Sequence, residues 1–290
     1  MTAGAPSYGE LLDAVRGVRW PAMRRVAGAT LGAHPSRLRG NSSEFSEFRP
    51  YRQGDDPRRV DWRLLARSDR AYVRLTTDLA TLRTAILVDA SASMAFPLPD
   101  MEKWQRACEV AVALAAVAHA EGDPIGLAIA GATPVRIASR ARRSVIAEMI
   151  RALAITTPAG SGELAPLMTS SRASRIAVVT DLLGDADAVL AASRIKVAAG
   201  GEVVVLHILS PDELDPPDVA QLAVDPEQPT LRRSLDGTSR AEYQRAFAAW
   251  RNDMRSAFRG AGVRYLHAES SEAAARIVRR VADSSGVRDA

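Results

Sequence analysis

The chain has 290 residues, 38 Lys and Arg against 34 Asp and Glu, and 47% hydrophobic residues. That is enough apolar material for one large core or two modest ones, and it lacks the signature of a disordered chain. A single cysteine, Cys108, excludes an intrachain disulfide, and with four scattered histidines (His34, His119, His207, His267) it offers no zinc-ligand spacing.

The longest apolar run, Val110 to Ala118, is about half the ~20 residues that a membrane span needs. The first residues, MTAGAPSYGELLDAVRG, show no basic cap followed by an apolar core, so a cytoplasmic location is expected. The sequence pI of 9.6 rests on 36 Arg and two Lys, Lys103 and Lys196, a composition bias more than a nucleic-acid surface. Basic charge is concentrated in residues 1–83, with 15 Arg against 9 Asp and Glu, and the remainder is faintly acidic.

Residues 8–19 can form a short helix with Leu11, Leu12, Val15 and Val18 on one face. Residues 31–60 are rich in Gly, Pro, Ser and charge and show little periodicity. Yet Phe45, Phe48, Tyr51 and Trp62 concentrate aromatics there, so an ordered, irregular segment packed on the following domain is expected, with Tyr51 and Trp62 as core anchors. Residues 71–77 alternate as a strand.

After residue 83 apolar strands alternate with helices. The strands are 84–89, 123–131, 134–139, 174–181, 202–210 and 263–268. The helices are 103–120, 144–155, 162–171, 185–200, 239–262 and 271–283. This alternation predicts an α/β domain over 84–290, a doubly wound, mostly parallel sheet with helices on both faces. The Pro-rich stretch 211–237 breaks the pattern and reads as a hairpin insertion.

In open α/β sheets ligands bind outside the carboxyl ends of the strands. The first buried strand ends in Asp89-Ala90-Ser91-Ala92-Ser93, and the 174–181 strand ends in Thr180-Asp181. A carboxylate with hydroxyls at +2 and +4, and a second carboxylate at the same edge, make a hard-oxygen set that suits Mg²⁺ or Mn²⁺. Cys108, inside a buried helix, reads as inert packing. The chain contains no P-loop and no G-x-S-x-G elbow.

The D-x-S-x-S loop resembles the metal-ion-dependent adhesion site of von Willebrand factor type A domains, which adds a Thr from a loop before a helix. The matching stretch here is Ala159-Gly160-Ser161-Gly162-Glu163-Leu164. In direct register the Thr position is Gly162, and Ser161 supplies a hydroxyl only if the loop shifts by one. The resemblance thus implies Asp89, Ser91, Ser93 and Asp181 as metal ligands, with Ser161 a weak fifth.

Upstream, Arg39-Gly40, Glu44-Phe45, Phe48-Arg49-Pro50-Tyr51, Gly54-Asp55-Asp56, Arg58-Arg59-Val60-Asp61-Trp62 and Ala66-Arg67 resemble the signature of the domain of unknown function 58 family. In that family the signature precedes a von Willebrand A-like domain. Its members are bacterial or archaeal and are often encoded beside MoxR-type AAA+ ATPases. Arg49, Tyr51, Asp55, Asp56, Arg58, Asp61, Trp62 and Arg67 are expected either to form internal Arg–carboxylate pairs or to dock a partner.

The resemblance implies a non-enzymatic protein-interaction module, with a MoxR-type AAA+ ATPase as partner in chaperone-like assembly or maturation. Two alternatives stand beside it: a divalent-metal-dependent phosphoester hydrolase, and a nucleic-acid binder using the basic N-terminal third.

Overall fold

The computed structural model describes residues 8–23, 31–39, 45–184, 186–217, 221–227, 230–235 and 237–283. Gly40 and Glu44 of the N-terminal signature lie outside the described residues. The chain forms two compact units, Pro21–Leu82 and the remainder, in which Met1–Trp20 joins Arg83–Ala290. Helix α1 (Tyr8–Ala14) thus belongs with the larger unit.

The smaller unit contains β1 (Leu31–Arg39), β2 (Phe45–Pro50), α2 (Trp62–Ser68) and β3 (Tyr72–Ala80). Its strands form an antiparallel sheet in the order β1-β3-β2, and both pairings carry register shifts. Asp61 caps α2, accepting from the amides of Arg63 and Leu64 at 3.0 and 2.9 Å.

The larger unit continues with β4 (Thr84–Asp89), α3 (Glu102–Ala120), β5 (Ile125–Ala130), β6 (Val135–Arg140), α4 (Ser144–Ile155), α5 (Leu164–Ser170) and β7 (Arg175–Thr180). Then come α6 (Ala186–Ala198), β8 (Glu202–Leu209), α7 (Pro211–Leu214), β9 (Gln221–Val224), β10 (Arg232–Leu235), α8 (Gly237–Gly260), β11 (Arg264–Glu269) and α9 (Ala274–Ala282). The main sheet runs β11-β8-β7-β4-β5-β6, with β6 antiparallel to β5 and every other pairing parallel. Strand order therefore reverses between β4 and β7, the doubly wound layout that the sequence implies. The stretch 211–237 contains the expected hairpin, β9 paired with β10 in a two-stranded sheet of its own.

Period-two alternation sends each buried strand's side chains to two cores. Ile86, Val88, Ala177, Val179, Val204 and Leu206 face a core built with α1, α3, α4 and α9. Leu87, Ile176, Val178, Val203 and Val205 face a second core with α5, α6 and α8. A strand apolar on both faces is what a sheet covered by helices on both sides demands. In α3 every residue from Val110 to Ala115 is fully buried, which explains its nearly continuous apolar sequence. Cys108 is buried there, and burial pushes its thiol far up, so it packs as an inert side chain.

Among the described residues no helix is long and apolar enough to cross a membrane. Replacing the fully buried Leu114 with Ala is expected to cost about 2–5 kcal/mol in urea unfolding, through lost burial and a residual cavity. Leu98, 75% exposed, should tolerate Ala to within about 0.5 kcal/mol.

Candidate functional site

The site grows out of the reversal in strand order. β4 and β7 are adjacent and parallel, with Val88 opposite Val179, so Asp89 and Asp181 leave the sheet at one edge. That is the position where a doubly wound sheet opens a crevice. Asp89 accepts from the Ser91 amide at 2.9 Å and from the Thr180 hydroxyl at 2.6 Å. Ser91 starts a short 3-10 turn, Ala92–Ala95, which carries Ser93 back so that the two hydroxyl oxygens share a hydrogen bond at 3.0 Å. Ser93 also donates to Glu227 Oε1 at 3.2 Å.

Asp181 accepts from the Leu183 amide at 3.1 Å. The turn that permits this holds Leu182 at φ 56°, a left-handed conformation costing about 1–2 kcal/mol for a non-glycine residue. The other Asp181 oxygen accepts from Lys103 Nζ at 2.7 Å, and the same ammonium donates to Glu213 Oε1 at 2.6 Å. Lys103 is wholly buried. Glu213 is fixed from behind by a capping box, its other oxygen accepting from the Ser210 amide at 2.7 Å.

The electrostatics divide the carboxylates. Burial, reinforced by the Asp181 charge and only partly offset by Thr180 and Ser91, pushes Asp89 up to about 7. Burial alone would raise Asp181 too, but the Lys103 ammonium outweighs it and holds Asp181 ionised. Burial opposes the charge on Lys103, and Asp181 with Glu213 more than restores it. Glu213 and Glu227 both rise, chiefly through burial.

Asp89, Ser91, Ser93 and Asp181 are thus brought together. The Gly162 loop joins them through backbone bonds from Ala159 N to Ala90 O and from Ala92 N to Gly160 O, both 2.9 Å. A Cβ on Gly162 would stand 2.2 Å from Asp89 Oδ1 and 3.4 Å from Ser91 Cβ. The direct register is therefore the structural one, and the Asp89 carboxylate fills the space a Thr side chain would need. Ser161 does not replace it: its side chain is exposed and it makes none of the site's hydrogen bonds.

The signature residues belong to the Pro21–Leu82 unit. Arg49 and Asp55 form an ion pair at 2.7 Å, which holds the Asp55 carboxyl below its usual range. Asp56 accepts from the Arg58 amide at 2.9 Å. Asp56 and Asp61 therefore cap backbone turns, and among the described residues Asp55 shows the expected pairing with Arg. Arg67 lies in the last turn of α2. Tyr51 and Trp62, expected as core anchors, are 38% and 63% exposed. Trp62 opens a seven-residue helix with no buried residue.

Lys103, Glu213 and Glu227 were not anticipated. The usable signal for Lys103 was its rarity as one of two lysines. That for Glu213 was the S-x-x-E capping pattern from Ser210.

The chain matches the family described as Protein of unknown function DUF58 over residues 47–253. It belongs to the DUF58 family. The uncharacterized proteins Mb1516 of Mycobacterium bovis and Rv1480 of Mycobacterium tuberculosis are each 32% identical to it over 268 residues, covering 89% of this chain and 84% of theirs. Among solved structures it is similar to BatB from Bacteroides thetaiotaomicron, at 15% identity, with 69% of this chain and 96% of that chain covered and a TM-score of 0.44. It is also similar to the SpRpn10 VWA domain, at 11% identity, 68% and 94% coverage and a TM-score of 0.38.

The donor set of this DUF58 protein fits a hard divalent ion. Every donor is oxygen, and the Ser91 and Ser93 oxygens stand 3.0 Å apart. Neighbouring ligands of an octahedral Mg²⁺, at about 2.1 Å from the ion, are also about 3.0 Å apart. Asp89 retains lone pairs beyond the two hydrogen bonds it accepts.

In EDTA, Asp89 gives the DUF58 fold a signed pH dependence. Its folded pKa is raised, so its contribution is full below about pH 4 and is lost as pH rises through about 7. His207, driven down to about 3 by burial, has the opposite slope below about pH 6.5. Asp89→Asn keeps the shape of the protonated acid and leaves His207 in place. Its stability relative to wild type should therefore rise by up to about 4 kcal/mol between pH 4 and pH 8 in urea unfolding. A difference constant with pH would show that Asp89 does not titrate in this range.

Proposed function

We propose that this DUF58 protein is a non-enzymatic protein-interaction module that docks an acidic residue of its partner at the carboxyl-edge site. The observation that carries the reading is the oxygen cluster of Asp89, Ser91 and Ser93 on one loop at the strand-order reversal, with the two hydroxyl oxygens 3.0 Å apart. Asp89, Ser91 and Ser93, backed by Asp181, would hold Mg²⁺ or Mn²⁺. The ion would supply an electrophilic position for a partner's carboxylate.

The chain's own residues prepare that position. Lys103 neutralises Asp181, Thr180 orients Asp89, and the capped Glu213 holds the ammonium in place. Phe96, Leu98 and Leu183, on the loops that follow β4 and β7, are 37%, 75% and 51% exposed. Exposed apolar side chains on the loops that carry a polar centre favour a macromolecular partner. The family resemblance supports a MoxR-type AAA+ ATPase as that partner, in chaperone-like assembly or maturation.

A bound ion relieves repulsion among the carboxylates and binds the folded form, so Mg²⁺ should raise the melting temperature. The gain corresponds to about 2.7 kcal/mol at a hundred times the dissociation constant. Asp89→Ala should abolish that response and the Mg²⁺-dependent capture of the ATPase in a pull-down while leaving the protein folded. Equal melting shifts for wild type and Asp89→Ala across millimolar Mg²⁺ and Mn²⁺ would refute the metal reading.

A further inference from the structure

The insertion hairpin already places an acidic side chain at this site. Glu227 lies in the connection between β9 and β10 and accepts from the Ser93 hydroxyl at 3.2 Å. Its second oxygen is 3.7 Å from the point a Cβ on Gly184 would occupy, so the carboxylate reaches from the β4 loop to the β7 loop. The turn sets its direction, because the Glu227 amide donates to Asp225 Oδ1 at 2.9 Å. In sequence Glu227 is flanked by Val224 and Leu231, 44% and 55% exposed.

The hairpin is a small element outside the main sheet. β9 and β10 are four residues each and pair in a two-stranded sheet separate from the main one. A two-stranded hairpin alone is marginally stable.

We infer that Glu227 occupies the position of the partner's acidic residue, so that the hairpin is an internal competitor and the partner presents a carboxylate flanked by apolar side chains. This rests on the docking reading proposed above and adds to it the partner's chemistry and the step that must precede engagement. A tethered competitor acts at an effective concentration in the millimolar range, which masks the site from weak external ligands.

The probe is a labelled peptide of residues 223–231, AVDPEQPTL, titrated by fluorescence anisotropy into the full chain with Mg²⁺ and, separately, with EDTA. Glu227→Ala protein should bind it at least tenfold more tightly than wild type, and the same peptide carrying Glu227→Gln should lose that gain. Equal affinity for wild type and variant, or for the two peptides, overturns the inference. A gain that persists unchanged in EDTA supports the competitor and refutes the metal. A Mg²⁺ melting shift common to both proteins, without any gain in peptide affinity, refutes the competitor and leaves the metal reading standing. Thermal melts establish that the variant is folded, and Glu227→Gln protein replaces it if it is not.

Discussion

One ammonium group decides how four acidic side chains coexist at the edge of this sheet. Lys103 enters from the first turn of α3, wholly buried, and donates to Asp181 and Glu213 at 2.7 and 2.6 Å. Desolvating such a charge costs several kcal/mol, and only close, well-directed partners repay it. Because Lys103 fixes Asp181 as the ionised member, the remaining negative charge falls on groups that burial pushes toward neutrality, Asp89 foremost. A compact ammonium on a flexible stem serves here where a planar guanidinium, with its fixed fork of donors, would need a wider site. The chain has 36 Arg and keeps Lys at this position.

That constraint ties fold to function through three loops. The parallel pairing of β4 with β7 brings the two aspartates to one edge. The backbone bonds from Ala159 and Ala92 bring Gly162 so close to Asp89 that no side chain fits between them. The Gly162 position therefore offers no hydroxyl, and the site draws its further polar groups from α3, α7 and the insertion hairpin. Exposed Phe96, Leu98 and Leu183 supply the apolar surroundings that a docked chain would cover.

The alternation of apolar runs and helices was legible because both cores impose it: each strand between two helical layers must be apolar on both faces. Asp89, Ser91, Ser93 and Asp181 were legible for the same reason, since strand ends in a doubly wound sheet converge on the crevice. Lys103 was not, because helical periodicity shows that a position is buried and not that its partner lies 78 residues away. Glu227 was hidden by its hairpin, whose packing no local pattern dictates. Tyr51 and Trp62 misled, because aromatic content signals an apolar requirement without showing whether this chain or a partner meets it. In the structure the two side chains are 38% and 63% exposed.

The most direct test of the account is a double-mutant cycle on Lys103 and Asp181, read by urea unfolding at pH 7 in EDTA. Lys103→Met alone leaves the carboxylates without their counter-charge and should cost about 3–5 kcal/mol. Asp181→Leu alone should cost several kcal/mol by leaving the ammonium underpaired. The double variant should recover much of the loss, giving a coupling energy of about 2–3 kcal/mol. If the two losses simply add, the buried ammonium does not govern the acidic edge and the account fails at its centre.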